Sequence, residues 1–414
     1  MRSTLLALCL ASLVVSAQAF ATDTTSRPKI RAITGFVDID AKNYAAQLQD
    51  TYAFLDRARK AYQSAGWVVS SVRITTQPFP QYTRGLSHDQ ALALLRNLSD
   101  LAGKLKFSMN IGAAMMKDDD DTKPVDLLAE ALSAELNFDG NLITAGDDGI
   151  HWKAIQQAAH LIKYVSEHSP HGQGNFNFGA IAMMKPYGPF YPGSYSGGGR
   201  NFAIGLEGAN VVAQVFAKDH DLRSVEKTLS AALSRHMVVV ESIATKLAAG
   251  SGWTYAGIDP TPAPLGDVSI GAAIETFIGG PFGSSGTETA SAIITRAVQS
   301  VPVKRVGYSG LMIPVLEDAT LAKRWGEGTY TLDSILAYSA VCAGGVDTVP
   351  LPGNISEGRI AQILGDVATL AYKWNKPLAA RLLPSPGKTV GEMTEFGGML
   401  KNTMIQPLSG TPRK

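Results

Sequence analysis

Cysteine is nearly absent from this sequence of 414 residues, which contains only Cys9 and Cys342. Cys9 lies in an apolar run at the N-terminus, so the rest of the chain has a single thiol. A lone cysteine excludes a disulfide within that remainder, even in an oxidising compartment that would permit one. Stability must therefore come from a hydrophobic core, and the 45% share of hydrophobic residues is ordinary for a chain that builds one.

An excess of charge of either sign is also missing, because 37 lysines and arginines stand against 36 aspartates and glutamates. The N-terminal apolar run is accompanied by Arg2 and by no acidic residue, so its removal leaves equal numbers of both signs. A chain without net charge has no overall field that recruits nucleic acid or an anionic membrane surface. We therefore expect no nucleic acid among its partners.

Long hydrophobic runs are lacking too, except at the N-terminus. The apolar run Thr4 to Val15 follows the positive charge of Arg2 and precedes two overlapping small-x-small patterns that end at Ala19 and Ala21. This order is typical of a secretory signal peptide, here residues 1–21, cleaved after Ala19 or Ala21. The run is shorter than the roughly 20 residues that a membrane span needs, and no later run qualifies. The sequence therefore predicts an exported protein, periplasmic or secreted, without a membrane span.

Extended apolar segments alternate with amphipathic segments along the rest of the chain. The alternation is typical of repeated β-α units. No segment has the composition of an interdomain linker, so we expect residues 22–414 to form a single large α/β domain. Predicted strands include Lys29 to Ile39, Trp67 to Thr76 and Lys304 to Val315, and predicted helices include Tyr44 to Ser64 and Thr287 to Gln299.

Short local motifs do not identify a reaction. The chain has neither a phosphate-binding loop nor a dinucleotide-binding fingerprint, and its histidines lack the HExxH spacing of a zinc site. Cys342 precedes a glycine turn, where a thiolate is a nucleophile if a neighbour lowers its pKa, and a buried small hydrophobic residue is the alternative. Carboxylates next to turns can share acid and base duties or hold a divalent cation, but each can equally be a helix cap.

Several longer motifs are too specific to be generic. The longest are GIDPTPAP at 257–264, SIGAAIE at 269–275, GYSGLMIPVLED at 307–318, YSAVC at 338–342 and DTVPLPG at 347–353, followed by NKPL at 375–378, ARLLP at 380–384 and TEF at 394–396. Together they resemble the family called domain of unknown function 711. The resemblance extends over nearly all of the chain after the leader.

The resemblance implies a fold. Members of that family resemble a large α/β barrel of the kind found in pyruvate formate-lyase-like glycyl radical enzymes, in which strands surround a central pocket. This chain has no radical-glycine motif near its C-terminus, so the radical chemistry itself is not implied. The resemblance brings no assigned reaction with it.

Positions that match the family's motifs supply the candidate site residues. The candidate catalytic groups are Cys342, Asp259 and Glu395. The candidates for binding a substrate are Ser309, Lys376, Arg381 and Glu207. The cofactor is unknown and no nucleotide-cofactor motif is present; a divalent metal, if one binds, would be held by Glu317, Asp318 and Asp347. The chain departs from the family near Ser196, where a histidine is common, and at Glu392, where an aspartate is common. The lost histidine indicates that an ancestral activity has been altered or lost.

Three functions are compatible with these observations. The leading expectation is an exported enzyme, a hydrolase or lyase, acting on a small polar, anionic molecule in the barrel pocket, since no nucleotide-cofactor fingerprint supports an oxidoreductase. The alternative is a non-catalytic protein that binds a small ligand outside the cytoplasm. The third is an interaction protein in which the aromatic segment Tyr187 to Tyr195 is a surface patch. The expected partner is a small molecule, and a homo-oligomer is left open.

Overall fold

A computed structural model describes residues 27–410 of the chain, so the predicted leader lies outside the described residues. The strands are β1 (Lys29–Val37), β2 (Val72–Thr76), β3 (Ser108–Ala113), β4 (Asp139–Gly146), β5 (Gly149–Ile150), β6 (Phe178–Ala182), β7 (Asn201–Glu207), β8 (Thr254–Asp259), β9 (Gly345–Pro352) and β10 (Leu378–Ser385). The α-helices are α1 (Tyr44–Ser64), α2 (Pro80–Thr83), α3 (His88–Leu105), α4 (Lys123–Ser133), α5 (Trp152–His168), α6 (Ala209–Phe216), α7 (Val225–Ala248), α8 (Ile270–Ile278), α9 (Thr287–Gln299), α10 (Ala319–Gly326), α11 (Leu332–Ser339) and α12 (Glu357–Trp374). A 3₁₀ helix spans Pro170–Asn177.

Local sequence explains where several helices begin and end. Ser87 and Gln90 form a reciprocal capping box at the start of α3. The hydroxyl of Ser356 accepts a hydrogen bond from the backbone of Arg359 at the start of α12, and Asn375 ends that helix in the left-handed conformation. Among the residues that the structure describes, no helix is both long and apolar enough to cross a membrane.

The strands form one ten-stranded mixed sheet in the order β8-β7-β1-β2-β3-β4-β6-β10-β9, with the short β5 beside β4. Strands β1, β2, β3, β4 and β6 run parallel to one another, and the pairs β7-β8 and β10-β9 flank them in the opposite direction. The prediction of an α/β architecture is confirmed. The sheet is not closed by hydrogen bonding between its edge strands β8 and β9, and a likeness to the glycyl radical enzymes is not confirmed.

An irregular segment, residues 303–316, contacts both edges of this sheet. Ile258 of β8 forms a parallel bridge with Arg305, and Asp347 of β9 forms a parallel bridge with Pro314. Backbone hydrogen bonds support both contacts, at 3.1 Å from Val306 to Ile258 and at 3.0 Å from Val315 to Asp347. The prediction of a strand from Lys304 to Val315 is therefore wrong: this stretch is irregular, with left-handed backbone at Gly307 and Ser309, and it contacts the sheet only through isolated bridges.

The two faces of the sheet are used differently. Gly35 of β1 faces helix α1, where an added Cβ would lie 3.2 Å from side-chain atoms of Thr51 and Leu55. Its neighbours Thr34 and Phe36 point to the opposite face, since successive residues of a strand alternate. Helices thus cover one face, and the other face lines an interior.

The loop of residues 186–200, called here the inner loop, fills that interior. The side chains of Thr34, Asn110 and Asn141, from β1, β3 and β4, donate hydrogen bonds to backbone carbonyl groups of the inner loop at 2.8–3.1 Å. Thr75 of β2 bonds to the hydroxyl of Ser194 at 3.0 Å. The aromatic segment expected as a surface patch in the third functional alternative therefore lies largely inside the molecule.

Candidate functional site

A cavity of about 230 Å³ lies between the inner loop and the sheet. The cavity is lined by Arg73, Ser108 and Asp139, which lie at the N-terminal ends of β2, β3 and β4. We call it the charged cavity because six acidic or basic side chains line it, namely Arg31, Arg73, Asp139, Glu317, Asp347 and Arg381. Its remaining wall is largely apolar and includes Phe176, Phe190, Tyr191, Met312 and Met399.

Arg381 is held on one side of the charged cavity by two carboxylates. Its guanidinium donates to both oxygens of Asp347, at 2.5 and 2.9 Å, and to Glu317. Burial opposes the positive charge, but the two carboxylates outweigh burial and raise the pKa of Arg381. Its guanidinium also lies 5.2 Å from the ring centre of Phe176. The Nε and Nη2 donors of Arg381 are thus directed at protein partners.

Arg31 is held more loosely. Its guanidinium nitrogens lie 3.8 Å from Glu207 and 3.7 Å from Glu317, distances of ion pairs without a hydrogen bond. One oxygen of Glu207 is buried and has no hydrogen-bond partner among the described residues, and Lys29 lies 3.8 Å from the other. Arg31 therefore keeps donors for a further partner.

Arg73 and Asp139 face the same space without forming an ion pair within 4 Å among the described residues. Arg73 donates to Ser71 at 3.1 Å and lies 4.8 Å from the ring centre of Tyr191. Burial, with a smaller contribution from the positive charge of Arg31, lowers the pKa of Arg73. Burial raises the pKa of the Asp139 carboxyl to about 7, against the opposing effect of Arg73.

The predicted site residue Asp259 is fully buried at the end of β8 and holds a turn together. Its carboxylate accepts hydrogen bonds from backbone groups of Thr261, Tyr308 and Ser309 at 2.8–3.1 Å, and from the Thr261 hydroxyl. Burial raises the pKa of Asp259 to about 6, although these hydrogen bonds oppose the shift. Ser309 directs its own hydroxyl to the carbonyl of Val306 at 3.0 Å. Both residues act on the segment that joins the sheet edges.

Asp318 lies at the start of α10 and caps two helices. Its carboxylate accepts from Thr320 and Leu321 of α10, at 2.9 and 3.1 Å. It also accepts from Ile270 and Gly271 at the start of α8, and from the Ser269 hydroxyl at 2.6 Å. Each helix start offers unpaired N–H groups and favours a negative charge. This carboxylate is therefore fully engaged with the two helices.

Cys342 and Lys376 form a local contact at the end of α11. The thiol is completely buried, and burial raises the pKa of Cys342. Lys376 donates from its ammonium to the backbone carbonyls of Ala340 and Cys342, at 2.9 and 2.6 Å, while burial lowers the pKa of Lys376. Neither side chain lines the charged cavity.

Glu395 lies on the surface, where it pairs with Lys388 at 2.7 Å and with His171 at 3.5 Å. No hydrogen bond or ion pair among the described residues joins it to Cys342 or Asp259. The structure thus places the three candidate catalytic groups in separate surroundings. It brings together Arg381, Glu317 and Asp347, with Glu207 nearby through Arg31.

The candidate metal ligands divide in the same way. Glu317 and Asp347 both bind Arg381, whereas Asp318 turns to the helix starts. Within residues 27–410, no three acidic, histidine or cysteine side chains are arranged to hold a metal ion. Ser196, near the family's common histidine, bonds to Asp38 at 3.1 Å.

Sequence reasoning missed three residues of the charged cavity. Arg31, Arg73 and Asp139 belong to no motif that was singled out for chemistry. The available signal was a charged residue inside an otherwise apolar predicted strand, as in KIRAITGF and SSVRITT. A buried charge in such a place is retained only with a partner or a function.

These features define an α/β protein with an internal charged cavity, and comparison with known proteins supplies its family. Residues 24–402 match the family described as Uncharacterised ACR (DUF711), and the chain belongs to this family. The resemblance of the sequence motifs is thereby confirmed.

Relatives occur in archaea and bacteria. A UPF0210 protein of Pyrobaculum arsenaticum is 32% identical over 289 residues, which cover 66% of this chain and 63% of that protein. A second, from Pyrobaculum aerophilum, is 31% identical over 329 residues, covering 75% and 72%. A third, from Oenococcus oeni, is 28% identical over 373 residues, covering 86% and 82%. The chain thus matches less than two thirds of the length of the first of these relatives.

The comparison corrects the functional expectation. These relatives are named only as uncharacterised proteins, and nothing in their names indicates export or enzymatic activity. The expectation of an exported hydrolase or lyase, or of a ligand-binding protein outside the cytoplasm, was therefore wrong. Only the function is corrected; the location, periplasmic or secreted, stays a separate and untested prediction, because it rests on residues 1–21, which lie outside the described residues.

Proposed function

We propose that the charged cavity is a binding site for a small molecule. The observation that carries this proposal is the pair of arginines, Arg31 and Arg73, which share the cavity without a hydrogen bond to a carboxylate. Arg31 has only long ion pairs, at 3.7–3.8 Å, and Arg73 has none within 4 Å among the described residues, so the protein compensates these two partly buried charges incompletely, at a cost in free energy. A ligand with a negatively charged group that accepts hydrogen bonds from Arg31 and Arg73 would offset this cost of burying the two charges.

The proposal gives some of the predicted site residues a role. Arg381 lines the cavity and keeps its predicted part in binding, but it does so as a rigid wall fixed by Glu317 and Asp347. Glu207 acts through Arg31, which it holds at 3.8 Å. Ser309 supports the proposal indirectly, since it helps to shape the turn that places Tyr308 in the cavity wall.

We also propose that residues 22–414 form one domain whose sheet is completed as a barrel by residues 303–316. The two parallel bridges from this segment to β8 and β9 support that arrangement. Hydrogen exchange tests it, because the amides of Val306 and Val315 should then exchange as slowly as those of regular strands. Fast exchange at both amides would show that the segment does not complete the sheet.

Filling the cavity tests the binding function. Ala263 is buried in the cavity wall, so Ala263→Phe should occupy the space that a ligand would use. We would measure the melting temperature of the full chain with a defined panel of amino acids, hydroxy acids, simple carboxylates, amines and sugars. A compound that binds the folded state raises the melting temperature of the wild type. The filled variant should show no such rise.

The matched control is Ala249→Phe, which adds the same ring at an exposed position after α7 and should respond like the wild type. If Ala263→Phe does not fold, Arg73→Met removes a cavity charge at nearly constant volume and should reduce the rise. The proposal is refuted if no panel compound stabilises the wild type, or if both cavity variants respond as the wild type does.

A further inference from the structure

We infer that the charged cavity selects a small acid that carries an N–H or O–H group next to its carboxylate and an apolar remainder. This inference rests on the proposed binding function and adds the chemistry of the ligand. Amino acids and hydroxy acids share this chemistry.

Two arginines, Arg31 and Arg73, form the end of the cavity that would bind the carboxylate of the ligand, and the hydroxyl of Ser71 links them. Ser71 donates to the backbone carbonyl of Arg31 at 2.7 Å and accepts from Nε of Arg73 at 3.1 Å. Both guanidinium groups line the same cavity. Adjacent positive charges repel each other, and a carboxylate between them relieves the repulsion through charge-assisted hydrogen bonds.

The donor end is defined by Asp139. Its carboxylate lines the cavity, and the described residues provide it with no hydrogen bond or ion pair. Arg381, whose positive charge also acts on Asp139, already directs its Nε and Nη2 donors to Glu317 and Asp347. An ionised carboxylate accepts hydrogen bonds, so an N–H or O–H group of the ligand would donate the hydrogen bond that the protein does not supply to Asp139.

The apolar wall and the volume limit the rest of the ligand. Phe176, Phe190 and Met312 face the cavity together and favour an aromatic or aliphatic group. The volume of about 230 Å³ lies below the usual range of about 300–1,000 Å³ for sites of drug-sized ligands. A molecule of the size of one amino acid is therefore favoured over a nucleotide or an oligosaccharide.

The same charges discriminate against other small molecules. A second carboxylate on the ligand would meet Asp139, Glu317 or Asp347, and like charges at close range disfavour binding. An amine without a carboxylate would place a further positive charge near Arg31 and Arg73 and would offer their donors no acceptor. Selection thus depends on both ends of the cavity.

Four compounds with one aromatic skeleton test the inference: phenylalanine, 3-phenyllactate, 3-phenylpropionate and phenethylamine. The first two have a carboxylate and a neighbouring donor, the third has only the carboxylate, and the fourth has only the amine. We expect at least one of the first two to bind about tenfold more tightly than 3-phenylpropionate in titration calorimetry, because a hydrogen bond to a charged group is gained. Phenethylamine should not bind.

Substitutions in the cavity test which residues bind each end of the ligand. Arg73→Met should weaken binding of the acids about tenfold to a hundredfold. Asp139→Leu should remove the advantage over 3-phenylpropionate and leave the affinity for 3-phenylpropionate nearly unchanged. The control Arg359→Met, at an exposed position of α12, should leave all affinities as in the wild type.

Failure of this inference is distinguishable from failure of the binding function. If compounds of the broader panel bind but none of these four does, or if 3-phenylpropionate or phenethylamine binds as tightly as phenylalanine and 3-phenyllactate, the inference is overturned and the binding function stands. If no compound binds at all, both are overturned.

Discussion

Replacing Asp139 by asparagine should change how the stability of the protein depends on pH. The structure raises the pKa of this carboxyl from 3.8 to about 7, because burial outweighs the attraction of Arg73 and Arg381, and Glu317 adds to the increase. Between about pH 4 and pH 7 the folded protein retains a proton that the unfolded chain has lost. The free energy of unfolding of the wild type therefore falls as the pH rises through this window.

The size of the effect follows from the shift. At about 1.4 kcal/mol for each pKa unit, a shift of about three units corresponds to at most about 4 kcal/mol. Asp139 is only partly buried, so solvent screens its charge and we expect about 1–3 kcal/mol. Asp139→Asn cannot ionise and lacks this penalty. The free energy of unfolding of Asp139→Asn, measured relative to that of the wild type, should therefore rise by about 1–3 kcal/mol as the pH rises through this window.

Urea unfolding of both proteins at a series of pH values between about 4.5 and about 7.5 measures the difference, since the linear extrapolation gives the free energy of unfolding. Asp366→Asn, at an exposed position of α12, controls for the loss of one carboxylate elsewhere. A difference between Asp139→Asn and the wild type that stays constant across the range, or that falls with rising pH, would refute the reasoning.

Three further predictions concern buried groups. Arg381→Met should lower the free energy of unfolding by about 3–5 kcal/mol, because it leaves Glu317 and Asp347 unpaired; a loss below about 1 kcal/mol in urea unfolding would contradict this. Asp318→Ala should cost about 2–4 kcal/mol, since one carboxylate caps two helices and an ordinary cap contributes about 1; a loss no larger than that of a single-cap variant would contradict it. A thiol reagent should modify Cys342 only in denaturant, because the thiol is buried and its pKa is raised; rapid modification of the folded protein would contradict it.

Much of the fold was predictable because periodicity is a local property. The predicted helices Tyr44 to Ser64 and Thr287 to Gln299 coincide with α1 and α9. Strand β4 was missed, since its apolar core is short and its sequence DGNLITAG contains glycines and a polar Asn141. Asn141 is polar because it holds the inner loop, a tertiary contact that no local pattern contains.

The site was predictable only in part. Arg381 is among the predicted site residues because it lies in a motif of the family, and the structure places it in the wall of the charged cavity. Asp318 lies in such a motif as well, but the structure assigns it to the helix starts, since a motif marks residues that the fold needs as well as residues that touch a ligand. Arg73 lies on β2 and Asp139 on β4, and only the folding of the parallel sheet brings both residues to the same cavity, so no local sequence pattern links them.

The sheet holds the inner loop largely through backbone carbonyl groups of the loop, and not through the side chain of Phe190. Thr34, Asn110 and Asn141 hold backbone carbonyl oxygens of the loop, a group that every amino acid provides. The side chain of Phe190 faces the cavity, whereas Tyr191 lines the cavity and also bonds through its hydroxyl to the carbonyl of Ile74 at 2.8 Å. In the proposed binding site, a mutation at position 190 can therefore change which compound is accepted while the loop stays in place, so new ligand preferences can evolve on this scaffold without a new fold.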